Sequence, residues 1–287
     1  MSNPVFKEES FKAASEGYNA GRAGNAGQSG WGAPTAGTHV ATRPLSDGPV
    51  TGWQKAMTIN GTITASLVLL TILLVSAAFG WSAASGPTVV SNEGVVTETF
   101  QFPPLAMVGI LVGFGAVMLS MFKPNLAKIL GPVYAIAYGF AVGAISKGYE
   151  TFYNGIVLQA VLATASVFLV MLVLYRTRII KVTDKFRRAV IFATLGVMVL
   201  YLGSFVFSLF GGSLPFLNGD NMVLSIAFSV FVCGLAAMNL ALDFDFIERA
   251  TDAGMPKAYE WVAALGLVVT LVWLYLELLR LLSYLRQ

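Results

Sequence analysis

The chain has 287 residues, of which 56% are hydrophobic and only 11% are charged. Soluble domains carry about a quarter charged residues, so this composition excludes a single soluble domain and favours a membrane protein. The formal net charge of +3 does not indicate nucleic-acid binding, because the basic residues lie in short loops between apolar runs and not in one patch.

Residues 1–56 form the first predicted region, a polar segment rich in Gly, Ala and Ser. This composition is typical of disorder, so we predict a disordered cytoplasmic tail followed by a transmembrane domain over residues 57–287. The first apolar run begins at Met57, too late for a secretory signal peptide. A short docking peptide at residues 2–11 is an alternative use of the tail. The single histidine, His39, and the single cysteine, Cys233, give no basis for a metal or haem site.

Seven apolar stretches after the tail are long enough to cross the hydrocarbon core, for which a helix needs about 20 residues. In chain order they cover residues 57–81, 103–122, 129–146, 156–175, 189–210, 222–242 and about 258–285. The runs are continuous rather than alternating, which favours helices over a barrel. We therefore predict an all-α polytopic membrane bundle of seven transmembrane helices.

The positions of Lys and Arg predict which side each connection faces, because basic loops stay in the cytoplasm. The connections after spans two, four and six are basic and share one side. Their residues are Lys123, Lys128, Arg176, Arg178, Lys181, Lys185, Arg187, Arg188, Arg249 and Lys257. The opposite loops carry Glu93, Glu98, Glu150, Asp220 and a single basic residue, Lys147. This pattern puts the tail inside and Gln287 outside, whereas Arg280 and Arg286 near that outer end leave a re-entrant last segment as the alternative.

Two glycine pairs predict where helices approach closely. Gly109 and Gly113 lie in the second span, and Gly139 and Gly143 lie in the third. Small residues four apart let helix backbones come together in a membrane. This spacing predicts packing and carries no information about function.

Ionisable side chains inside the apolar runs are the first candidates for function, because a charge at mid-bilayer costs roughly 2.5–3.5 kcal/mol. The segment NLALDFDFIERATDAG, at the inner end of span six, holds Asp243, Asp245 and Glu248. Asp243 and Asp245 are two positions apart and point in different directions on a helix. They either mark a wetted helix end or stay partly buried, because Phe244 and Phe246 keep the segment apolar.

Glu277 lies in the last span, within LVWLYLELLRLLSYL, and Arg280 follows three residues later on the same face. If the span centres near Leu271, Glu277 is roughly 9 Å from the midplane and inside a half-core of about 15 Å. Two interpretations stay open: a structural ion pair reaching toward the outer surface, and a titrating gate.

Enzyme signatures are lacking. The sequence has no histidine pair at metal-binding spacing, no Gly-x-Ser-x-Gly elbow and no serine with a histidine base. A retinal protein needs a lysine within its last span. Lys257 lies only at the entrance to that span, so a retinal protein is excluded. We predict neither an enzyme nor a bound cofactor.

Four segments resemble the Bax inhibitor-1/YccA-like (transmembrane Bax inhibitor motif) family, particularly an actinobacterial branch with a long polar tail. They are YAIAYGFAVGAIS, GIVLQAVLATASVFLVMLVLY, NLALDFDFIERA and AALGLVVTLVWLYLELLRLL. The resemblance covers about residues 53–287 and implies a seven-helix bundle whose last helix is central. It also implies a pH-sensitive calcium leak and, for some members, modulation of a membrane-bound protease.

The resemblance further implies a pair of aspartates that bridges the sixth and seventh helices and closes a pore until it is protonated. Asp243 matches the first aspartate, and Thr270 stands where the second is expected. Glu277, seven residues later on the same helical face, is the other candidate for the second carboxylate. Lys123 corresponds to a basic residue that pairs with the first aspartate in relatives. The predicted gating and ion-path residues are therefore Asp243, Thr270, Glu277, Asp245 and Lys123.

Two functional hypotheses follow. The leading one is a passive cation leak path, with calcium as the permeant ion, in the plasma membrane of a bacterium and closed by contacts around Asp243. The alternative is a non-conducting regulator that binds a membrane protease or other membrane machinery, a role suited to the long tail. An intramembrane enzyme ranks third, because no nucleophile and base are assembled.

Overall fold

A computed structural model describes residues 56–92, 95–209 and 221–287. The predicted tail lies outside the described residues except for Ala56, and Glu93 and Asp220 of the acidic loops also lie outside them.

Within these described ranges, seven helices are long and apolar enough to cross a membrane. They are α1 (Ile59–Ala83), α2 (Pro104–Phe122), α3 (Ala127–Phe152), α4 (Ile156–Arg176), α5 (Asp184–Leu209), α6 (Met222–Asp252) and α7 (Ala258–Leu285). A 3-10 turn at Pro124–Leu126 precedes α3. The all-α bundle of seven spans is therefore confirmed, with each helix on a predicted apolar stretch.

A two-stranded antiparallel hairpin joins α1 and α2. Its strands are β1 (Ser85–Asn92) and β2 (Val95–Gln101), with Val89 opposite Glu98. Both strands are rich in Val and Thr, residues that favour extended backbone. A search for membrane-length apolar runs does not reveal such a hairpin, and it leaves the class of the bundle unchanged.

The last helix is central, as predicted. α7 contacts α1, α3, α4 and α6, and 56% of its apolar window is buried inside the protein. By contrast, only 12% of the corresponding window of α5 is buried. α5 packs chiefly on α6 and is the most peripheral of the seven helices.

Glycines set the contact between α1 and α3. A Cβ at Gly143 would collide with the backbone carbonyl of Ala77, and a Cβ at Gly139 would crowd the backbone of Leu73. Gly80 makes the reciprocal approach from α1 to the backbone of α3. These helices therefore touch backbone to backbone, which confirms the packing predicted from the glycine spacing.

The second glycine pair places α2 against α3. A Cβ at Gly109 would collide with the carbonyl of Ala137, and a Cβ at Gly113 would lie 3.1 Å from the Tyr138 side chain. Both predicted pairs therefore lie at close contacts made by α3, one with α1 and the other with α2.

The two ends of the bundle differ in their connections. One end, called the basic end below, holds the start of α1 and the connections 123–126, 177–183 and 253–257. There Met57 N donates to Met255 O at 2.7 Å, and the N and Oγ1 atoms of Thr58 donate to Glu260 Oε1 at 3.0 and 2.9 Å. The start of α1 is therefore fastened to the corner between α6 and α7.

The opposite end, called the far end below, receives the end of α7. Arg286 Nη1 donates to Asn154 O at 2.7 Å, and Arg286 Nη2 donates to Gln159 Oε1 at 2.8 Å. α7 is one helix of 28 residues that runs from the basic end to this contact. The last segment is therefore one continuous helix long enough to span a membrane, which contradicts the re-entrant alternative.

Candidate functional site

The interface between α6 and α7 carries most of the predicted site residues. Asp243 of α6 lies beside Gly266 of α7, where an added Cβ would be 3.7 Å from Asp243 Oδ1. Toward the far end, the guanidinium carbon of Arg280 lies 5.9 Å from the centre of the Phe228 ring. These two contacts fix an antiparallel register, so polar groups at both ends of α6 face α7.

Asp243 is tucked against α7 near the basic end. The Thr270 hydroxyl lies near this carboxylate, and it donates to Gly266 O at 3.1 Å. Oδ2 of Asp243 is buried without a hydrogen-bond partner among the described residues. The structure therefore brings Asp243 and Thr270 close together. It leaves Oδ2 of Asp243 without contact to solvent and without a hydrogen-bond donor among the described residues.

Glu277 does not reach Asp243. It lies seven residues beyond Thr270, roughly 10 Å along the helix, and only 4% of it is exposed. Glu277 Oε1 accepts a hydrogen bond of 2.7 Å from the Tyr201 hydroxyl on α5. The second carboxylate of the expected pair is thus absent from the Asp243 site.

Tyr201 links Glu277 to Arg280 in a three-residue cluster toward the far end. Arg280 Nη1 donates to the Tyr201 oxygen at 3.0 Å and lies 3.7 Å from Glu277 Oε2. The Arg280 guanidinium also packs over the Tyr201 ring at 5.2 Å. The predicted ion pair between Glu277 and Arg280 is present at 3.7 Å. Both residues make shorter contacts to the Tyr201 hydroxyl, which the sequence analysis did not identify.

Asp245 faces α5 rather than α7. Arg187 Nη2 lies 2.6 Å from Asp245 Oδ2, and Arg249 Nε lies 2.9 Å from Asp245 Oδ1. Arg249 also donates to Val182 O at 3.2 Å. Because Asp245 is only 7% exposed, it fastens the basic connection between α4 and α5 to α6 and does not mark a wetted helix end.

Glu248 strengthens the same attachment. It accepts a hydrogen bond from the Tyr175 hydroxyl, and it pairs with Arg178 at 2.8 Å. Ion pairs from two carboxylates of α6 therefore hold Arg178 of the basic connection and Arg187 at the start of α5.

Lys123 stands apart from this region. It is an exposed residue that ends α2, and the ion pairs between described residues do not include it. The pairing with Asp243 that the resemblance implied is not present in this structure.

An apolar layer separates the Asp243 site from the Glu277 cluster. Ala236, Leu240 and Leu274 pack together there with 0% exposure. Charged or hydrated groups cross such a layer only if the helices separate, because the layer offers them no polar partner. Polar groups therefore lie on both sides of a dry layer at this interface.

The sequence analysis also missed the polar contacts along α5. Arg187, Thr194 and Tyr201 are spaced by seven residues, and Thr194 accepts a hydrogen bond of 2.9 Å from Asn239 Nδ2. Each of the three side chains thus bonds to α6 or α7. The recurrence of a polar residue every seven positions in an apolar helix was a signal that could have identified them.

The chemistry available here concerns ions and protons. In the described ranges, no group of three or more His, Cys, Asp or Glu residues is placed to hold a metal ion. Asp243 offers a carboxylate oxygen that can take up a proton or approach a cation, and Glu277 is held by a cationic and a phenolic donor. These groups differ in their surroundings, although both lie on the same interface.

Residues 3–287 match the model of a protein family described as Bax inhibitor 1 like. The match extends over nearly the whole chain, beyond the region in which the quoted segments lie. No curated protein matches the chain.

Proposed function

This chain belongs to the Bax inhibitor 1-like family, and from that premise we propose that it forms a passive leak path for cations, with calcium as the permeant ion. The path runs along the α6–α7 interface. It is closed in this conformation by the Asp243 contact, by the apolar layer and by the Tyr201–Glu277–Arg280 cluster.

The observation that carries this proposal is the buried Oδ2 atom of Asp243, which has no donor among the described residues. Leaving a carboxylate oxygen in that position is costly. Protonation of Asp243 or the approach of a cation would remove that cost. Calcium binds to carboxylate and carbonyl oxygens, which fits a site beside the backbone of Gly266.

Thr270 makes the closure sensitive to the charge on Asp243. Its single hydroxyl proton can serve either the Asp243 carboxylate or Gly266 O. A charged carboxylate competes well for this proton because hydrogen bonds to ionised groups are the stronger ones. Neutralising Asp243 therefore weakens the α6–α7 contact and favours opening.

We further propose that the basic end faces the cytoplasm and that the membrane is the plasma membrane of a bacterium. The basic connections at that end support this orientation through the preference of Lys and Arg for the cytoplasmic side. The chain then acts without an enzymatic step and without a bound cofactor.

Calcium flux into liposomes containing the purified full-length protein tests the leak. We expect the wild-type protein to raise calcium entry above protein-free liposomes, and Asp243→Asn to raise it further by about threefold or more, because the amide mimics the neutral carboxyl. Asp252→Asn, at an exposed position of α6, is the matched control and should behave as the wild type. Background flux for both the wild type and Asp243→Asn would remove the proposal.

A non-conducting regulator that binds a membrane protease or other membrane machinery is the second candidate. The observation that favours it is the attachment of Met57 to Met255, which holds the residue that follows the tail beside the α6–α7 corner. A partner holding the tail would thereby act close to the site. Deletion of residues 1–50 separates the two functions, since a leak should largely survive it and a docking role should not.

A further inference from the structure

The connection between α4 and α5, with the helix ends beside it, carries the densest group of basic residues in the described part of the chain. Six Lys and Arg residues lie between positions 176 and 188, together with one carboxylate, Asp184. We propose that this connection binds the phosphate groups of anionic phospholipids at the membrane surface. The proposal concerns the surface of the bundle and is independent of whether cations pass along the α6–α7 interface.

Two of the six cations are already paired within the protein. Arg178 binds Glu248 at 2.8 Å, and Arg187 binds Asp245 at 2.6 Å. The other four are Arg176, Lys181, Lys185 and Arg188. All four are exposed, and the ion pairs between described residues do not include them. Four cations against the single carboxylate of Asp184 leave an excess of positive charge on this surface.

Apolar side chains beside these cations place them at the edge of the hydrocarbon core. Val173, one turn before Arg176 on α4, is 57% exposed, and Phe192, one turn after Arg188 on α5, is 70% exposed. Exposed apolar side chains on helices of membrane length face lipid tails. Because residues three or four apart share a helical face, Arg176 and Arg188 lie where that apolar surface ends and where basic side chains reach the headgroups.

Ile179 indicates that the surface faces a lipid rather than a purely aqueous ligand. Its side chain is 70% exposed and lies between Arg178 and Lys181 in the sequence. An apolar side chain among cations suits an interface that offers acyl chains on one side and anionic headgroups on the other. A nucleic acid or a free phosphate ion would satisfy the cations but would leave Ile179 in water.

The start of α5 gives a second reason for an external anion. α5 begins at Asp184, so Lys185 and Arg188 lie close to the end where the helix dipole disfavours cations. Arg187 has Asp245 to offset this effect, whereas Lys185 and Arg188 have no carboxylate partner among the described residues. The same dipole attracts anions, so a headgroup phosphate is favoured by the helix end and by both side chains.

The connection is held in a fixed position by bonds that do not use the four exposed cations. Ile179 N and Ile180 N donate to Leu174 O at 3.1 and 3.2 Å, and Arg249 Nη2 donates to Val182 O at 3.2 Å. Headgroup binding therefore does not compete with the attachment of the connection to α6. Juxtamembrane clusters of basic residues of this kind attract anionic lipids.

Electron spin resonance of spin-labelled lipids tests the site on the full-length protein in phosphatidylcholine bilayers, because lipids at the protein surface give a motionally restricted signal. We expect labelled phosphatidylglycerol to associate with the wild type about threefold more strongly than labelled phosphatidylcholine. This ratio should fall by at least about half in the triple variant Lys181→Gln, Lys185→Gln, Arg188→Gln. The control variant removes the same charge from exposed positions of the other two basic connections and should keep the ratio. Its changes are Lys123→Gln, Lys128→Gln and Lys257→Gln.

Three results would overturn the proposal. The first is a wild-type protein that does not prefer phosphatidylglycerol, and the second is an equal loss of preference in the two triple variants. The third comes from adding inorganic phosphate or chloride at equal ionic strength. We expect both salts to weaken the association of phosphatidylglycerol equally, through screening. Selective displacement by phosphate would mean that the connection binds the free ion and not the lipid.

Discussion

Where α1, α2 and α3 meet, glycine lets backbone touch backbone, whereas α5 reaches α6 and α7 through polar side chains. In the first region, the backbone of Gly143 lies against the carbonyl of Ala77. Arg187, Thr194 and Tyr201 close the second region through hydrogen bonds to other helices. The two regions use the two means of helix association that remain in lipid, where apolar side chains gain little by leaving the tails.

The difference between these regions indicates which part of the bundle can move. When helices that touch backbone to backbone separate, many van der Waals contacts are lost at once. Lipid tails do not fit the same surfaces closely enough to replace them. Polar contacts can exchange their partners for water or for a protonated group. The α5–α7 region is therefore the part expected to rearrange, and the α1–α3 region the part expected to stay fixed.

The largest effect is expected from Gly143→Val in the glycine-packed region. The added side chain would collide with the Ala77 carbonyl, so α1 and α3 must separate, at a cost of about 3 kcal/mol. For a domain of this size that lowers the melting temperature in detergent by roughly 6–12 °C. Gly115→Val in α2 is the matched control, because nothing lies within 4 Å of a Cβ there. Equal melting temperatures for the two variants would break the distinction between the regions.

A smaller effect is expected from Asp245→Asn in the polar region. The change removes the charge that holds Arg187 and Arg249, and it should destabilise the protein by about 2 kcal/mol, less than for a fully buried ion pair because both arginines are partly exposed. Thermal unfolding measures the loss, and limited proteolysis of the 177–183 connection should become faster. Asp252→Asn, which is exposed on the same helix, should change neither quantity, and a similar loss in that variant would contradict the assignment.

The smallest effect is expected from Tyr201→Phe, which removes one hydroxyl between Glu277 and Arg280. Interhelical hydrogen bonds in membranes contribute about 0.6–1.7 kcal/mol, so we expect a loss of about 1 kcal/mol in thermal unfolding. Tyr259→Phe in α7 serves as the comparison. A loss for Tyr201→Phe as large as that for Gly143→Val would mean that the polar region is as rigid as the glycine-packed one.

The helices and their number were predictable because membrane-length apolar runs have few other structural uses. Asp243 and Glu277 were predictable as buried polar positions for the same reason, since a charge in such a run needs a partner. The partners themselves were not predictable. Tyr201 lies 76 positions from Glu277, and only the packing of α5 on α6 beside α7 brings them together.

Two further outcomes show the limit of reading one helix at a time. Lys123 is exposed at the end of α2 because that helix packs on α3 and does not reach Asp243. Asp245 was placed correctly on a different face from Asp243. Its partner Arg249 is one turn away on the same helix, whereas its partner Arg187 comes from α5 and depends on how α5 packs on α6. Neighbouring helices and connections therefore decided the role of each carboxylate.

The seven-residue spacing of Arg187, Thr194 and Tyr201 has a mechanical consequence. An α-helix drifts about 20° per seven residues, so the three side chains stay within about 40° of one another around α5. The three contacts therefore occupy one stripe along the helix. A modest roll of α5 about its own axis would turn the whole stripe away together, so the helix should disengage in a single concerted step rather than one bond at a time.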